Sequence, residues 1–213
     1  MMQAAAAVRR VAAVHTTAPA SLDWMSPGER ARAARIRAAP RHAQYLAGHW
    51  LLRQLLAHAF AGDPRDYALI ERENLPPAVD GSRVHVSLSH GGDWIAAAWS
   101  LAPIGIDLEP RESRPALGRL RHLLLNADEV IHDIDNDALL QRWVLKEALI
   151  KRDLGQALPG QLAALQLHPA PGNVADVELV STDDWHLALS PIGVEIDADS
   201  RPHTRSRWQV SKA

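Results

Sequence analysis

Two segments constrain this chain more than any others: Gly105-Ile106-Asp107-Leu108-Glu109-Pro110 and the later run Trp143-Val144-Leu145-Lys146-Glu147-Ala148-Leu149-Ile150-Lys151. The first alternates apolar and acidic residues with period two. It reads as a strand with Ile106 and Leu108 buried on one face and both carboxylates on the other. The second spaces its apolar residues as a helix does and sets Glu147 and Lys151 one turn apart. Three carboxylates converging from a strand and a helix, with lysines beside them, suit a hard divalent cation that carries a phosphorylated ligand.

The surrounding pattern predicts an α+β fold. Ser26-Pro27-Gly28-Glu29 has the form of a capping box with proline at the first helical position, so a helix starts there and stops near Pro40. A second helix is expected from Arg41 to Ala59, with Tyr45, His49, Leu52, Leu56 and Ala59 on one stripe, ended by Gly62-Asp63-Pro64. Val84, Val86 and Leu88 alternate with polar residues as a strand. Gly91-Gly92-Asp93 turns into a strand from Trp94 to Trp99, and Pro103 precedes the acidic strand. Helices follow at Ala116 to Leu125 and at Asn136 to Leu154, the latter with Asn136 as cap and Gly155 as stop. Strands are expected again at Leu162 to Leu167, Val174 to Val180, Asp184 to Ser190 and Arg205 to Val210, punctuated by Pro159-Gly160 and Pro171-Gly172.

An internal echo organises these elements. Trp94 to Ser100 leads through a turn to Pro103-Ile104-Gly105-Ile106-Asp107, and Trp185 to Ser190 leads to Pro191-Ile192-Gly193-Val194-Glu195. The echo predicts two similar lobes related by a pseudo-twofold, residues 1–102 and 103–213, each a small antiparallel sheet packed with helices. Glu195, Asp197 and Asp199 imitate the acidic strand, but no second helix of the Lys146–Lys151 kind follows them. That segment is expected to bind no metal and to be a strand and turn of the C-terminal lobe.

Composition narrows the chemistry. With 213 residues, 47% of them hydrophobic, the chain can build a sizeable core. It has no cysteine, which excludes disulfides, thiolate zinc, iron–sulfur clusters and a cysteine nucleophile. Met1 to Val14 is apolar, but Arg9 and Arg10 stand in its middle, unlike a secretory signal, and no apolar run approaches a membrane span. A cytoplasmic protein without a membrane partner is expected. Net charge is −2, yet the first 60 residues hold eight arginines against Asp23 and Glu29, a balance of +6. Such a region attracts phosphates or an acidic partner protein. No nucleic-acid module accompanies the arginines, so nucleic acid is not an expected partner.

Each candidate residue has an ordinary alternative. Asp107 and Glu109 could be a solvated edge pair, but the buried Ile106 and Leu108 would hold their strand rigidly. Glu147 and Lys151 could be a surface ion pair worth about 0.3–0.5 kcal/mol, but Trp143 shares their stripe. Ser87-Leu88-Ser89-His90 before Gly91-Gly92 can offer donors and close backbone approach to a phosphate. His85 and His90 lack the spacing and third ligand of a zinc site.

In order and spacing, Val86 to His90, Gly105 to Glu109 and Trp143 to Lys151 resemble the three signatures of the 4′-phosphopantetheinyl transferases, most nearly the monomeric two-lobed class like the surfactin synthetase activator. The resemblance implies transfer of phosphopantetheine from coenzyme A to a serine of an apo acyl or peptidyl carrier protein, serving fatty acid, polyketide or nonribosomal peptide biosynthesis. It implies a cleft between the lobes and Mg²⁺ as cofactor, held by Asp107, Glu109 and Glu147. Glu147, or a metal-bound water, would take the serine proton. Lys151 and Lys146 would steady the phosphates and the departing 3′,5′-ADP, and Ser89 and His90 would bind coenzyme A. Two departures stand out: His49 follows Gly48 where the family usually has arginine, and Leu75-Pro76-Pro77 replaces its usual Gly-Lys-Pro. Arg41 is then the candidate for the 3′-phosphate. A Mg²⁺-dependent phosphohydrolase and a non-catalytic coenzyme A-binding module are the alternatives.

Overall fold

The structure is a computed structural model and describes residues 3–73, 75–112, 117–126, 129, 134–154, 161–170, 174–199 and 204–212. Its contacts divide into two units, Met1–Ile104 with Val194–Asp199, and Gly105–Gly193 with Ser200–Ala213. Both are mixtures of sheet and helix, so the α+β class is as expected. Among the described residues no helix is long and apolar enough to cross a membrane.

The first unit contains β1 (Ala4–Arg10), α1 (Val11–His15), α2 (Pro27–Arg35), α3 (Ala39–Phe60), β2 (Leu69–Ile70), β3 (Ala78–Val79), β4 (His85–Gly91) and β5 (Trp94–Ser100). The predicted capping box opens α2: Ser26 Oγ accepts from the Glu29 amide at 3.3 Å, and the Ser26 amide donates to Glu29 Oε2 at 2.8 Å. α2 stops at Arg35, earlier than expected, because Ile36 is already extended, as is Ala38, the residue that caps α3. The stripe of α3 is buried at Tyr45, His49, Leu52 and Leu56, against a core that includes Trp24, Trp50 and Trp99. β4 and β5 form a hairpin, and Gly92 supplies the positive φ of its turn.

β1 lies in the alanine-rich stretch, where sequence reasoning expected no element. It pairs antiparallel with β5 on one side. On the other it pairs in parallel with β10 (Glu195–Ala198), and the sheet order is β10-β1-β5-β4. The segment expected to build a strand of the C-terminal half therefore belongs to the first unit. Arg9 explains part of this, since it donates to Asp197 at 2.5 Å and lies 3.3 Å from Asp199.

The second unit contains β6 (Gly105–Pro110), a 3₁₀ turn at Leu117–Leu120, α4 (Arg121–Leu124), α5 (Asn136–Leu154), β7 (Leu165–Pro169), β8 (Val177–Ser181), β9 (Trp185–Ser190) and β11 (Thr204–Lys212). Its sheet runs β6-β9-β8-β11-β7 with every pair antiparallel. α5 has the predicted extent, but its cap is Asp135, whose Oδ1 accepts from the Ala138 amide at 2.7 Å. Ala116, Gly155, Pro159-Gly160 and Pro171-Gly172 lie outside the described residues. The sequence echo has a counterpart in the chain path: β5 and β6 belong to different sheets, and so do β9 and β10.

Candidate active site

The site strand is β6. Ile106 and Leu108 are fully buried, contributing roughly 1.5–3 kcal/mol each by leaving water. The opposite face of the strand is covered as well, so Asp107 and Glu109 are only 5% and 8% exposed. That face packs against α5. Gly105 sits under the backbone of Ala148 and Arg152, Asp107 meets Lys151, and Arg111, just beyond the strand, meets Asp137. Strand and helix thus run past one another in opposite directions, and Glu147, half-buried, stands on the helix between these contacts.

Lys151 Nζ donates to Asp107 Oδ1 at 2.7 Å. A carboxylate buried on a strand is costly without a cation, and this pair supplies one at a position that solvent still reaches. The structure therefore brings together Asp107 and Lys151 from the two motifs. Among the described residues, however, no group of three or more His, Cys, Asp or Glu side chains is placed to hold a metal ion. Asp107, Glu109 and Glu147 do not form such a group here.

Lys146 lies elsewhere. Its side chain is wholly buried, donating to Glu129 Oε2 at 2.6 Å and to the Leu124 carbonyl at 2.7 Å. Burial lowers its ammonium from the ordinary range, and Glu129 pulls the other way. Glu129 also accepts from the Asn126 amide at 3.2 Å. Lys146 thus secures the segment before α5 from inside. Five residues along a helix turn the side chain by about 140°, so Lys146 and Lys151 face different neighbours.

A polar group the sequence reading did not single out stands behind Glu109. His186 on β9 is 1% exposed and directly opposite Glu109 in the β6–β9 register. Its Nε2 is 2.9 Å from Asp137 Oδ1 and its Nδ1 is 2.7 Å from Ser181 Oγ. Asp137 also accepts from Arg111 Nε at 3.0 Å and from Gln141 Nε2 at 3.1 Å. Burial works against the charge on Asp137, but the bonds from His186 and Arg111 outweigh it and hold the carboxyl below its ordinary value. Burial pushes His186 down against the pull of Asp137, which favours the neutral ring. A neutral ring facing a carboxylate donates from Nε2, which leaves Nδ1 to accept from the Ser181 hydroxyl. The partners are 49 residues apart in sequence, so no local pattern joins them.

The other candidates belong to the first unit. Ser89 is buried on β4 opposite Ala96, and His90 is half-buried opposite Ile95. Arg41 is exposed on the first turn of α3; desolvation of its guanidinium and the charge of Arg32 lower it from its ordinary value. His49, at the position where the resemblance led one to expect arginine, is buried in a polar network. Its Nδ1 is 2.8 Å from Glu29 Oε1, and its ring stacks on Tyr45 with centroids 4.1 Å apart. Arg53 grips Glu29 with two bonds of 2.8 and 2.6 Å, and Tyr45 donates to Glu71 at 2.7 Å. Burial opposes the Glu29 charge, but His49 and Arg53 lower its carboxyl to about 2.

No family model matches the chain. It is 27% identical over 153 residues to the 4′-phosphopantetheinyl transferase Sfp of Bacillus subtilis (strain 168), covering 69% of this chain and 68% of that protein. It is 33% identical over 136 residues to the 4′-phosphopantetheinyl transferase psf-1 of Bacillus pumilus, covering 60% of this chain and 57% of that one. The chain thus spans from a little over half to about two thirds of the length of these relatives. The acyl carrier protein synthase structure from Mycobacterium tuberculosis is 22% identical and covers 46% of this chain and 94% of its own, with a TM-score of 0.34, a likeness that carries no argument.

Proposed function

We propose that this chain, a member of the 4′-phosphopantetheinyl transferase superfamily, moves 4′-phosphopantetheine from coenzyme A to a serine of an apo acyl or peptidyl carrier protein and releases 3′,5′-ADP. The observation that supports the reading is the 2.7 Å pair of Asp107 with Lys151, which joins the two sequence motifs most characteristic of the resemblance.

The serine oxygen forms a bond to the phosphorus that bears pantetheine, and the bond from that phosphorus to the 3′,5′-ADP oxygen breaks. Such a transfer needs positioning and charge neutralisation more than covalent help from the protein. Lys151 can exchange its carboxylate for a pyrophosphate oxygen and offset the charge that builds on the leaving group. Glu147, one turn before Lys151 and half-buried, is our choice to accept the serine proton. Ser89, His90 and Arg41 are proposed as coenzyme A contacts on the resemblance alone. Lys146 is left out of the phosphate contacts, since its ammonium already serves Glu129 and Leu124. Mg²⁺ enters as a requirement implied by the resemblance and is tested directly.

The test is mass spectrometry of a panel of apo carrier proteins incubated with the protein and coenzyme A, with Mg²⁺ and with chelator. A phosphopantetheine-sized gain on the carrier, lost in chelator, is expected. Coenzyme A breakdown without that gain would favour a phosphohydrolase, and coenzyme A binding with neither would favour a non-catalytic module.

A further inference from the structure

We propose that Asp137, His186 and Arg111 are positioning residues that fix β6 against the first turns of α5 and so set where Glu109 and Asp107 stand relative to Glu147 and Lys151. The inference rests on the transferase reading for what those four residues do, but not for how they are held.

The two ends of β6 are secured in different ways. At Gly105 the absence of a side chain lets the strand approach the backbone of α5 at Ala148 and Arg152. At the other end, where α5 begins, side chains make the bridge. Arg111 makes that bridge. Its amide donates to the Asp184 carbonyl at 3.0 Å, its Nη1 to the Thr182 carbonyl at 3.1 Å, and its Nε to Asp137. One arginine therefore joins the end of β6 to the β8–β9 turn and to α5.

His186 completes the bridge from the sheet. It is the cross-strand neighbour of Glu109, and directly opposed residues place their Cβ atoms about 4.5–5.5 Å apart on the same face. The ring is held on both sides, by Ser181 through Nδ1 and by Asp137 through Nε2. A rigid imidazole at that place limits how far the Glu109 side chain and its strand can shift. Ser181 is itself buried and pairs with His186 across β8 and β9, which makes the serine–histidine–aspartate chain a tether rather than a nucleophile. A displacement of about 1 Å at reacting groups can cost roughly 10²-fold in rate, so this bracing has catalytic weight without any contact to substrate.

The test compares His186→Leu with His186→Gln, because the glutamine amide can restore a donor to Asp137 and leucine cannot. His186→Leu should lower kcat of transfer at least tenfold with KM for coenzyme A and carrier within threefold, and His186→Gln should recover to within threefold of the parent kcat. Asp137→Asn serves as the second variant should His186→Leu fail to fold, with the same expected split. Hydrogen exchange supplies a readout free of activity: amides of residues 106–109 should exchange faster in His186→Leu or Asp137→Asn, while those of β8 and β11 keep their protection. Folded variants with parental kcat and parental exchange in β6 would overturn the proposal. If the parent protein transfers nothing, the transferase reading fails, and the exchange comparison still decides whether these residues brace β6.

Discussion

A β-carbon added to Gly105 would fall 1.9 Å from the carbonyl oxygen of Ala148, and 2.6 Å from the amide nitrogen of Arg152. Both atoms are helix backbone, so neither can move aside as a flexible side chain would. The separation of β6 from α5, and with it the reach from Asp107 to Lys151, depends on this contact. Gly105→Ala should force the strand away from the helix at a cost of about 1–3 kcal/mol or more. Thermal unfolding should show the loss, and transfer by the folded fraction should drop at least tenfold. Parental activity with an unchanged melting temperature would mean that the two elements tolerate a wider spacing.

On the proposed assignments, Asp107→Ala, Glu109→Ala, Glu147→Ala and Lys151→Met should each lower transfer at least ~10²-fold, because each removes a charge proposed to act on the reacting phosphates or the serine proton. The pairing of Asp107 with Lys151 adds a sharper expectation. The double variant should lose less than the product of the two single losses, since each single change strands the partner's charge. Full additivity in kcat/KM would show that the two groups act separately.

Lys146→Met tests the division of labour between the adjacent motif residues. If Lys146 serves only Glu129 and Leu124, the variant leaves a buried carboxylate uncompensated and should cost about 3–5 kcal/mol. Adding Glu129→Leu should restore most of that stability, while KM for coenzyme A stays within threefold in both. A stable Lys146→Met protein with a strongly raised KM would instead put the ammonium on the substrate.

Acid should unfold the first unit through Glu29. Its carboxyl titrates near 2 in the folded protein, against an ordinary value of 4.5. A depressed folded value means that the stabilisation is present above pH 4.5 and is lost as pH falls from there towards 2. The shift corresponds to roughly 3 kcal/mol. Urea unfolding between pH 6 and 2 should show this limb, and Glu29→Gln should flatten it while lowering stability at neutral pH, because Arg53 is then buried without its carboxylate. An unchanged acid limb in that variant would assign the loss to other carboxylates.

Much of the second unit's machinery was legible in the amino-acid order. The alternation of Ile106 and Leu108 with Asp107 and Glu109 identified β6 and its two faces. The spacing from Trp143 to Lys151 identified α5, and Ser26 with Glu29 marked the start of α2. These are local signals: a side-chain period and a cap are written within a few residues, so sequence alone carries them. Tertiary structure decided the rest. Ala4–Arg10 became a strand although alanine has little strand preference and gives no alternation, because β5 and β10 offered it partners on both sides. Helical spacing puts Lys146 and Lys151 on different sides of α5, but the partners of each, Glu129 for one and Asp107 for the other, come from distant segments. His49 fills the place where an arginine was expected because Glu29 and Tyr45 surround it, and His186 finds Asp137 across 49 residues. A buried polar group is stable only with its partner, and the partner is chosen by the packing of distant elements, which no local period encodes.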